Sequence, residues 1–98
     1  MHTGHFEWDE AKARRNLRKH GISFPEATTV FADPWSLTLP NPDLSLDEER
    51  LVTIGFSERL RLLVVVHCER RRGRTLRLIS ARRATRSEAV AYAAHHRR

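Results

Sequence analysis

The spacing of apolar residues changes at Trp35, and this change constrains the fold more than any other feature of the sequence. From Trp35 to Ser80, apolar and polar residues alternate in short segments, which are separated by polar turns. A period of two is typical of strands that bury one face. The predicted strands are Trp35–Leu39, Leu51–Phe56, Arg61–Cys68 and Thr75–Ser80. Because short turns join the last three strands, we expect an antiparallel meander.

Helix signals flank these strands on both sides. Asp9 is a good N-cap and Gly21 a good terminator, so a first helix is predicted over Glu10–His20. Ser23 and Glu26 have the spacing of a capping box. They predict a second helix over Phe24–Ala32, which ends before the Asp33-Pro34 pair.

The chain ends in a third predicted helix. Thr85 and Glu88 again have capping-box spacing, and an alanine-rich run follows them. The result is an α+β fold with two N-terminal helices, a central antiparallel sheet of about four strands and a C-terminal helix. Ninety-eight residues suit one domain, residues 1–98. One sheet face should be covered by helices and the other left open for a partner. Phe6–Trp8 is either an edge strand or a packed entry to the first helix.

Several classes of protein are excluded or disfavoured by composition. Cys68 is the only cysteine, so an internal disulfide is impossible. The longest apolar run, Leu62–Val66, is far too short to span a membrane. Met1–Glu10 contains no apolar stretch of the kind that a signal peptide needs. We therefore expect a cytoplasmic protein without membrane association.

Positive charge is concentrated in the last third of the chain. The net charge is +6, but residues 1–66 carry eight basic and ten acidic residues, whereas residues 67–98 carry ten arginines and two glutamates. Arginine matches phosphate with a planar fork of donors, which favours nucleic acid or an acidic protein as partner. General use of arginine as a surface cation is the alternative. The acidic segment 41–49 has no assigned role and is read as a solvated loop.

The sequence contains no motif typical of a metal-binding or nucleotide-binding site. The six histidines lack recognised ligand spacings, so we expect no metal and no other cofactor. The four glycines form no phosphate-cradling loop. Cys68 has only His67 nearby as a base, and neighbours in a strand point to opposite faces. A buried, small apolar side chain is the better interpretation of Cys68.

Two groups of polar residues are candidates for a functional site. The first is a stripe on the first helix, formed by Lys12, Asn16, Lys19 and His20 at helical spacing. A solvated helix face is the competing interpretation. The second group lies where the fourth strand meets the last helix, and it consists of Arg77, Arg82, Arg83, Arg86 and Glu88. Arg82 and Arg83 are expected just after that strand, beside a helix N-terminus that favours anions.

Other residues of the C-terminal third leave alternatives open. Arg82 or Arg83 could instead bond the carbonyls of the sheet edge. A proton donor or acceptor would come from His20, His67, Glu88 or Tyr92. Arg70, Arg71, Arg72 and Arg74 belong to a predicted hairpin loop, where they are either solvated or attract RNA.

The motifs together resemble the BrnT family of type II toxin–antitoxin toxins. The matching segments are FEWDEAKARRN at 6–16, KHGISFPEA at 19–27, VTIGFS at 52–57, LLVVVH at 62–67 and LRLISARRAT at 76–85. They cover most of the chain in the order of the family. Each segment alone is a weak signal, whereas the combination is specific.

The resemblance implies a RelE-like fold and metal-independent RNA cleavage that inhibits translation. It also implies neutralisation by a BrnA-like antitoxin with a ribbon-helix-helix domain, in a 2:2 complex that binds operator DNA through the antitoxin. In that chemistry the 2′-hydroxyl of RNA attacks the phosphate and leaves a 2′,3′-cyclic end.

Roles for the candidate residues follow from that chemistry. His20 is the first acid–base candidate, followed by Glu88 and Tyr92. Arg77 and Arg82 are expected to stabilise the transition state. RNA-binding roles are assigned to Lys12, Lys19, Arg83 and Arg86. The alternative function is a non-catalytic basic module that docks an acidic partner or nucleic acid, and operator binding by the chain itself ranks last.

Overall fold

The architecture is taken from a computed structural model that describes residues 5–41 and 50–96. The acidic segment after Asn41 lies outside the described residues. In chain order the elements are β1 (His5–Glu7), α1 (Glu10–His20), α2 (Phe24–Thr28), a 3₁₀ turn (Thr29–Ala32), β2 (Leu37–Pro40), β3 (Leu51–Phe56), β4 (Leu62–Arg70), β5 (Thr75–Arg83) and α3 (Arg86–His96).

Local capping explains why the helix boundaries are close to those predicted. The Asp9 carboxylate accepts a hydrogen bond from the Ala11 amide at 2.8 Å, and Gly21 ends α1 with φ 71°. The Ser23 hydroxyl accepts from the Glu26 amide at 3.2 Å at the start of α2. The predicted second helix is wrong in its second half, because residues 29–32 tighten into a 3₁₀ turn.

Within the described residues the sheet has five strands in the order β1-β5-β4-β3-β2 and is mixed. β2 to β5 form the predicted antiparallel meander. β1 adds a fifth strand that runs parallel to β5, pairing His5 with Thr75 and Glu7 with Arg77. The prediction of a four-stranded antiparallel sheet is therefore wrong in this detail, and the edge-strand interpretation of the segment at Phe6 is confirmed.

Helices pack on both faces of the sheet. Under α1 and α2 the core consists of Ile22, Phe24, Ala27, Val30, Leu63, Val65, Leu78 and Ala81. On the opposite face, Tyr92 of α3 packs on Ile54 and Val64. The face expected to be open is thus partly covered by α3, which leaves a groove between α3 and β2.

The ends of β2, β4 and β5 differ from the predictions for reasons of local pairing. β4 continues past the predicted Cys68 to Arg70, because Glu69 and Arg70 pair with Leu76 and Thr75, so Arg70 lies in the strand and not in the predicted hairpin loop. β5 continues through Arg82 and Arg83, because these residues pair with Val64 and Leu63 of β4. Both arginines therefore lie inside the strand and not after it. Trp35 precedes β2, since its amide donates to the Asp33 carboxylate at 2.9 Å in a turn.

Candidate functional site

A basic depression lies between α1 and the edge of β5. Its lining residues are Lys12, Arg15, Asn16, Lys19 and His20 of α1 with Ile79 and Ser80 of β5. β1 pairs with β5 only as far as Arg77, so among the described strands the edge beyond Arg77 has no strand beside it. The depression therefore brings three of the predicted site residues, Lys12, Lys19 and His20, to one concave surface. In the described part of the chain, its lining holds three cations and no carboxylate.

Asn16 fixes α1 against this strand edge. Its side-chain amide donates to the Ala81 carbonyl at 2.8 Å and to the Ile22 carbonyl at 2.9 Å. Its side-chain oxygen accepts from the Ala81 amide at 3.0 Å. The side chain thus satisfies both backbone groups of Ala81, as a neighbouring strand would. Asn16 was predicted on the polar stripe, and the structure shows it buried, holding the stripe in place.

Arg15 is a member of the depression that the sequence analysis missed. It lies three residues after Lys12 and four before Lys19, and residues at these spacings are neighbours on a helix surface. The same helical spacing that grouped Lys12 with Lys19 could have identified it. With Arg15, the depression has cations on successive turns of α1.

A β-bulge in β5 decides which arginines share a sheet face. Val66 pairs with Ser80 and His67 pairs with Leu78, so Ile79 is an additional residue without a partner on β4. Alternation alone would put Arg77 and Arg82 on opposite faces, because they are five residues apart. The additional residue reverses this, and both arginines lie on the face that carries α3.

Arg82 and Glu88 form a two-pronged ion pair at the mouth of the groove between α3 and β2. Both terminal nitrogens of Arg82 donate to the Glu88 carboxylate, each at 2.8 Å. Glu88 also accepts from the Thr85 amide at 2.8 Å, while the Thr85 hydroxyl accepts from the Glu88 amide at 3.3 Å, which confirms the predicted capping box. The Arg82 guanidinium lowers the pKa of Glu88 to about 2. Glu88 is therefore an ionised carboxylate held by two partners.

The groove itself is mostly apolar. It is lined by Leu39, Pro40, Asn41, Val52, Ile54, Val64, Val66, Arg82, Ser87, Glu88 and Ala91. The basic depression borders the edge of the C-terminal half of β5, whereas the groove lies on the sheet face that carries α3. His20 and Glu88 are thus not brought to one site.

Tyr92 packs under α3 with its hydroxyl engaged. The hydroxyl donates to the Asp33 carboxylate at 2.7 Å, and the ring meets Phe56 edge-on at 5.5 Å between centroids. The same carboxylate oxygen accepts from the Phe56 amide at 2.9 Å. Burial and the Asp33 carboxylate raise the pKa of Tyr92 to about 12. This contact ties α3 to the 3₁₀ turn and to β3.

The remaining predicted arginines lie apart from both surfaces. Arg77 donates to the Glu7 carboxylate at 3.0 Å, on the pairing between β1 and β5. Arg83 is exposed at the end of β5, and its carbonyl accepts from Arg82 at 3.2 Å. Arg86 is exposed at the start of α3. The structure therefore does not gather all the predicted arginines at one place.

A buried carboxylate was not anticipated from the sequence. Glu26 is only 4% exposed and accepts from the Ser57 hydroxyl at 2.7 Å and from the Arg61 guanidinium at 2.9 Å. The Arg61 hydrogen bonds lower the pKa of Glu26. This network joins α2 to the turn between β3 and β4, and Arg61 also donates to the Gly21 carbonyl at 3.4 Å, which ties the end of α1 to the same turn. Glu26, Ser57 and Arg61 are not among the residues that line the basic depression.

His67 and Cys68 lie on opposite faces of β4, as predicted. His67 pairs with Leu78 and Cys68 pairs with Arg77, and both side chains are buried. The His67 ring shares a hydrogen bond with the Thr53 hydroxyl at 2.8 Å and meets Phe31 edge-on. Across residues 5–41 and 50–96 no three His, Cys, Asp or Glu side chains cluster as metal ligands. In the same ranges no helix is long and apolar enough to cross a bilayer.

The fold and the basic strand edge define a small α+β protein suited to binding a polyanion. A family model described as "Ribonuclease toxin, BrnT, of type II toxin-antitoxin system" matches residues 8–88. The chain therefore belongs to the BrnT family of ribonuclease toxins.

Comparison with solved structures agrees with this assignment. The crystal structure of the Brucella abortus ribonuclease toxin BrnT is similar at a TM-score of 0.61 and 27% identity. The match covers 86% of this chain and 100% of that chain. A comparison with curated proteins gives no match.

Proposed function

We propose that this protein is a toxin that cleaves RNA without a metal ion and thereby inhibits translation. The observation that carries the proposal is the position of His20 in the basic depression, in a chain of a ribonuclease toxin family. The reaction would be attack of the RNA 2′-hydroxyl on the adjacent phosphate. It leaves a 2′,3′-cyclic phosphate on one fragment and a 5′-hydroxyl on the other.

His20 would carry the proton transfers. An imidazole has two ring nitrogens, so it can accept a proton from the 2′-hydroxyl or give one to the leaving oxygen. The other two candidates are engaged elsewhere: Glu88 by Arg82 and Thr85, and Tyr92 by Asp33. Among the described contacts, His20 has no hydrogen bond that would compete with substrate.

Cations around His20 would stabilise the charge that develops on the phosphate. Lys12, Arg15 and Lys19 lie on the same wall of the depression. Positive groups aimed at a developing anion are often the largest single contribution to catalysis. Arg77 and Arg82 each already donate to a carboxylate, so from the neighbouring face they would add only the positive potential that these partners leave uncompensated.

Single-stranded RNA fits this surface best. The depression is open and shallow, and its floor is a free strand edge formed by Ile79 and Ser80. A splayed, single-stranded backbone can follow such an edge, whereas a duplex presents its phosphates on a rigid cylinder. Arg83, exposed at the end of β5, and Arg86, exposed at the start of α3, would contact flanking phosphates.

The test is cleavage of a single-stranded RNA by the purified protein in EDTA. We expect fragments with 2′,3′-cyclic phosphate and 5′-hydroxyl ends, at a rate that EDTA does not change. His20→Ala should lower the rate by about 10²- to 10⁴-fold, the usual contribution of a proton-transfer group. Circular dichroism and thermal melting would show that the variant is folded.

A matched control uses the exposed His95 on α3. His95→Ala should cleave at the rate of the unchanged protein. RNA binding without new ends would instead identify a non-catalytic binding module, and equal loss in both histidine variants would remove His20 from the mechanism.

The partner is proposed to be an antitoxin of the BrnA type. Membership of a type II toxin–antitoxin family implies a protein antitoxin. We propose that it carries a ribbon-helix-helix domain, forms a 2:2 complex with this chain and binds operator DNA on behalf of the complex. Light scattering of the co-expressed pair would give the stoichiometry, and operator binding by the antitoxin-free chain would contradict the proposal.

A further inference from the structure

The hairpin between β4 and β5 carries arginines in a backbone conformation that disfavours them. Arg71 and Arg72 have φ 56° and 57°, and Gly73 follows with φ 83°. The Gly73 amide donates to the Arg70 carbonyl at 3.2 Å, so Arg71 and Arg72 occupy the two central positions of the turn. Turns with positive φ at both positions prefer Asn-Gly, because larger side chains are strained there. The turn geometry alone therefore gives no reason for two arginines.

The same hairpin holds surplus positive charge. Arg71, Arg72 and Arg74 are exposed and, in the described ranges, form no ion pair. The neighbouring Glu69 lies near Gly73, whereas Glu7 is engaged by Arg77 at 3.0 Å. Among the described residues, the tip therefore holds three cations outside any ion pair and one carboxylate outside any ion pair, that of Glu69.

These arginines line one depression at the sheet edge. Its lining residues are His5, Arg71, Arg72, Arg74 and Thr75. Among the residues that the structure describes, this lining includes no large apolar side chain, and protein partners usually anchor on buried apolar or aromatic groups. A flexible polyanion fits such a surface better than a folded protein does.

The hairpin depression and the basic depression both border β5, and β1 lies between them because it pairs with β5 from Thr75 to Arg77. The first includes Thr75 and the second includes Ile79 and Ser80, all on β5. Four to five residues of strand span about 15 Å. A nucleic-acid strand with stacked bases advances 3.4 Å per phosphate, so a strand that stays stacked where it passes over β1 needs about four or five nucleotides to bridge the two depressions.

We propose that the tip of the β4–β5 hairpin is a second RNA-binding site that holds phosphates several nucleotides from the bond that is cut. The proposal rests on the proposed ribonuclease function. In this proposal, Arg71, Arg72 and Arg74 make the protein sensitive to the length of its substrate. A long single-stranded RNA reaches both depressions, whereas a trinucleotide reaches only one.

The deciding variant is Arg71→Asn combined with Arg72→Gly. This change installs the residues that the turn prefers and removes two cations, so stability and RNA affinity should move in opposite directions. We expect Tm to rise by a few degrees. Affinity for a 16-nucleotide RNA should fall at least tenfold, and the slope of log affinity against log salt should weaken by about 1.4, for two lost phosphate contacts.

Binding is measured with 2′-O-methyl RNA, which cannot be cleaved through its 2′-oxygen. Failure of the ribonuclease proposal is thereby distinguished from failure of this one. With cleavable RNA, kcat/KM should drop at least tenfold for the 16-mer and stay within twofold for a trinucleotide. Arg14→Gln with Arg18→Gln, which removes two exposed cations of α1 outside both depressions, is the control matched in charge and should change neither value appreciably.

Three results would overturn the proposal. One is unchanged binding and unchanged salt dependence in the hairpin variant. Another is an equal loss for the trinucleotide and the 16-mer, which would reflect general charge. The last is normal RNA binding together with loss of the antitoxin complex, which would make the hairpin a protein-docking surface.

Discussion

At the scale of single residues, buried polar side chains position the basic depression. Asn16 is 6% exposed and forms three hydrogen bonds to backbone groups of Ile22 and Ala81. Two of its contacts are donations from the side-chain nitrogen. Only an amide can donate to the two carbonyls and accept from the Ala81 amide at the same time.

Asn16→Asp should be strongly destabilising. The carboxylate would face two carbonyl oxygens without a proton to give, and its burial would be uncompensated. We expect a loss of about 2–4 kcal/mol in the free energy of unfolding, measured by urea denaturation. Arg14→Ala on the exposed face of the same helix should change it by less than about 0.5 kcal/mol. If the two variants are equally stable, the side-chain amide of Asn16 does not contribute to the stability of the fold.

At the scale of elements, α3 is attached to the sheet by a small number of specific contacts. Glu88 closes its capping box and holds Arg82, whereas Tyr92 connects it to Asp33. Its apolar contribution to the core beneath is modest, because Val90 is 61% exposed. The tyrosine hydroxyl is therefore better explained as an anchor of α3 than as a proton donor to substrate.

Tyr92→Phe separates these two roles. Loss of the hydrogen bond to Asp33 should lower the free energy of unfolding by about 1–2 kcal/mol, since the acceptor is charged. RNA cleavage should stay within about twofold of the original rate at a temperature where the variant is folded. A hundredfold loss of cleavage in the folded variant would return Tyr92 to the mechanism as a proton donor.

At the scale of the whole molecule, the chain carries a net charge of +6, and ionised carboxylates that pair with arginines stabilise its fold. The pKa of Glu26 is lowered by Arg61, and that of Glu88 is lowered to about 2 by Arg82. A carboxyl whose pKa is lower in the folded state stabilises the fold above its unfolded pKa, and this contribution disappears as pH falls through the folded value. The pKa of Tyr92 is raised to about 12, so Tyr92 makes stability depend on pH at the alkaline end of the scale.

Stability should therefore decline at both ends of the pH scale. Urea denaturation should show unfolding free energy falling as pH drops from about 4.5, the ordinary Glu value, towards about 2. It should fall again between about pH 10 and 12, where the unfolded tyrosine ionises first. Glu88→Gln should be less stable at pH 7 and show a smaller decline on acidification. An equally steep acid decline in Glu88→Gln would mean that other carboxyls dominate.

Local signals made most of the elements predictable. The caps at Asp9, Gly21 and Thr85 act within one turn of chain, and they set helix ends that the structure reproduces. Alternating apolar residues located β3 with its observed bounds, because strand faces follow directly from side-chain order. The helical stripe of Lys12, Lys19 and His20 was likewise readable from spacing alone.

The sequence by itself determined the helix caps, the meander from β2 to β5, the cationic stripe of α1 and the family motifs. Tertiary structure alone decided the parallel pairing of His5 with Thr75, the bulge at Ile79 that turns Arg82 to the face of Arg77, and the engagement of Glu88 and Tyr92. The physical reason is the distance along the chain over which each interaction acts. A cap or a strand face depends on neighbours a few residues away, whereas pairings between segments as far apart as β1 and β5 depend on how the whole chain packs.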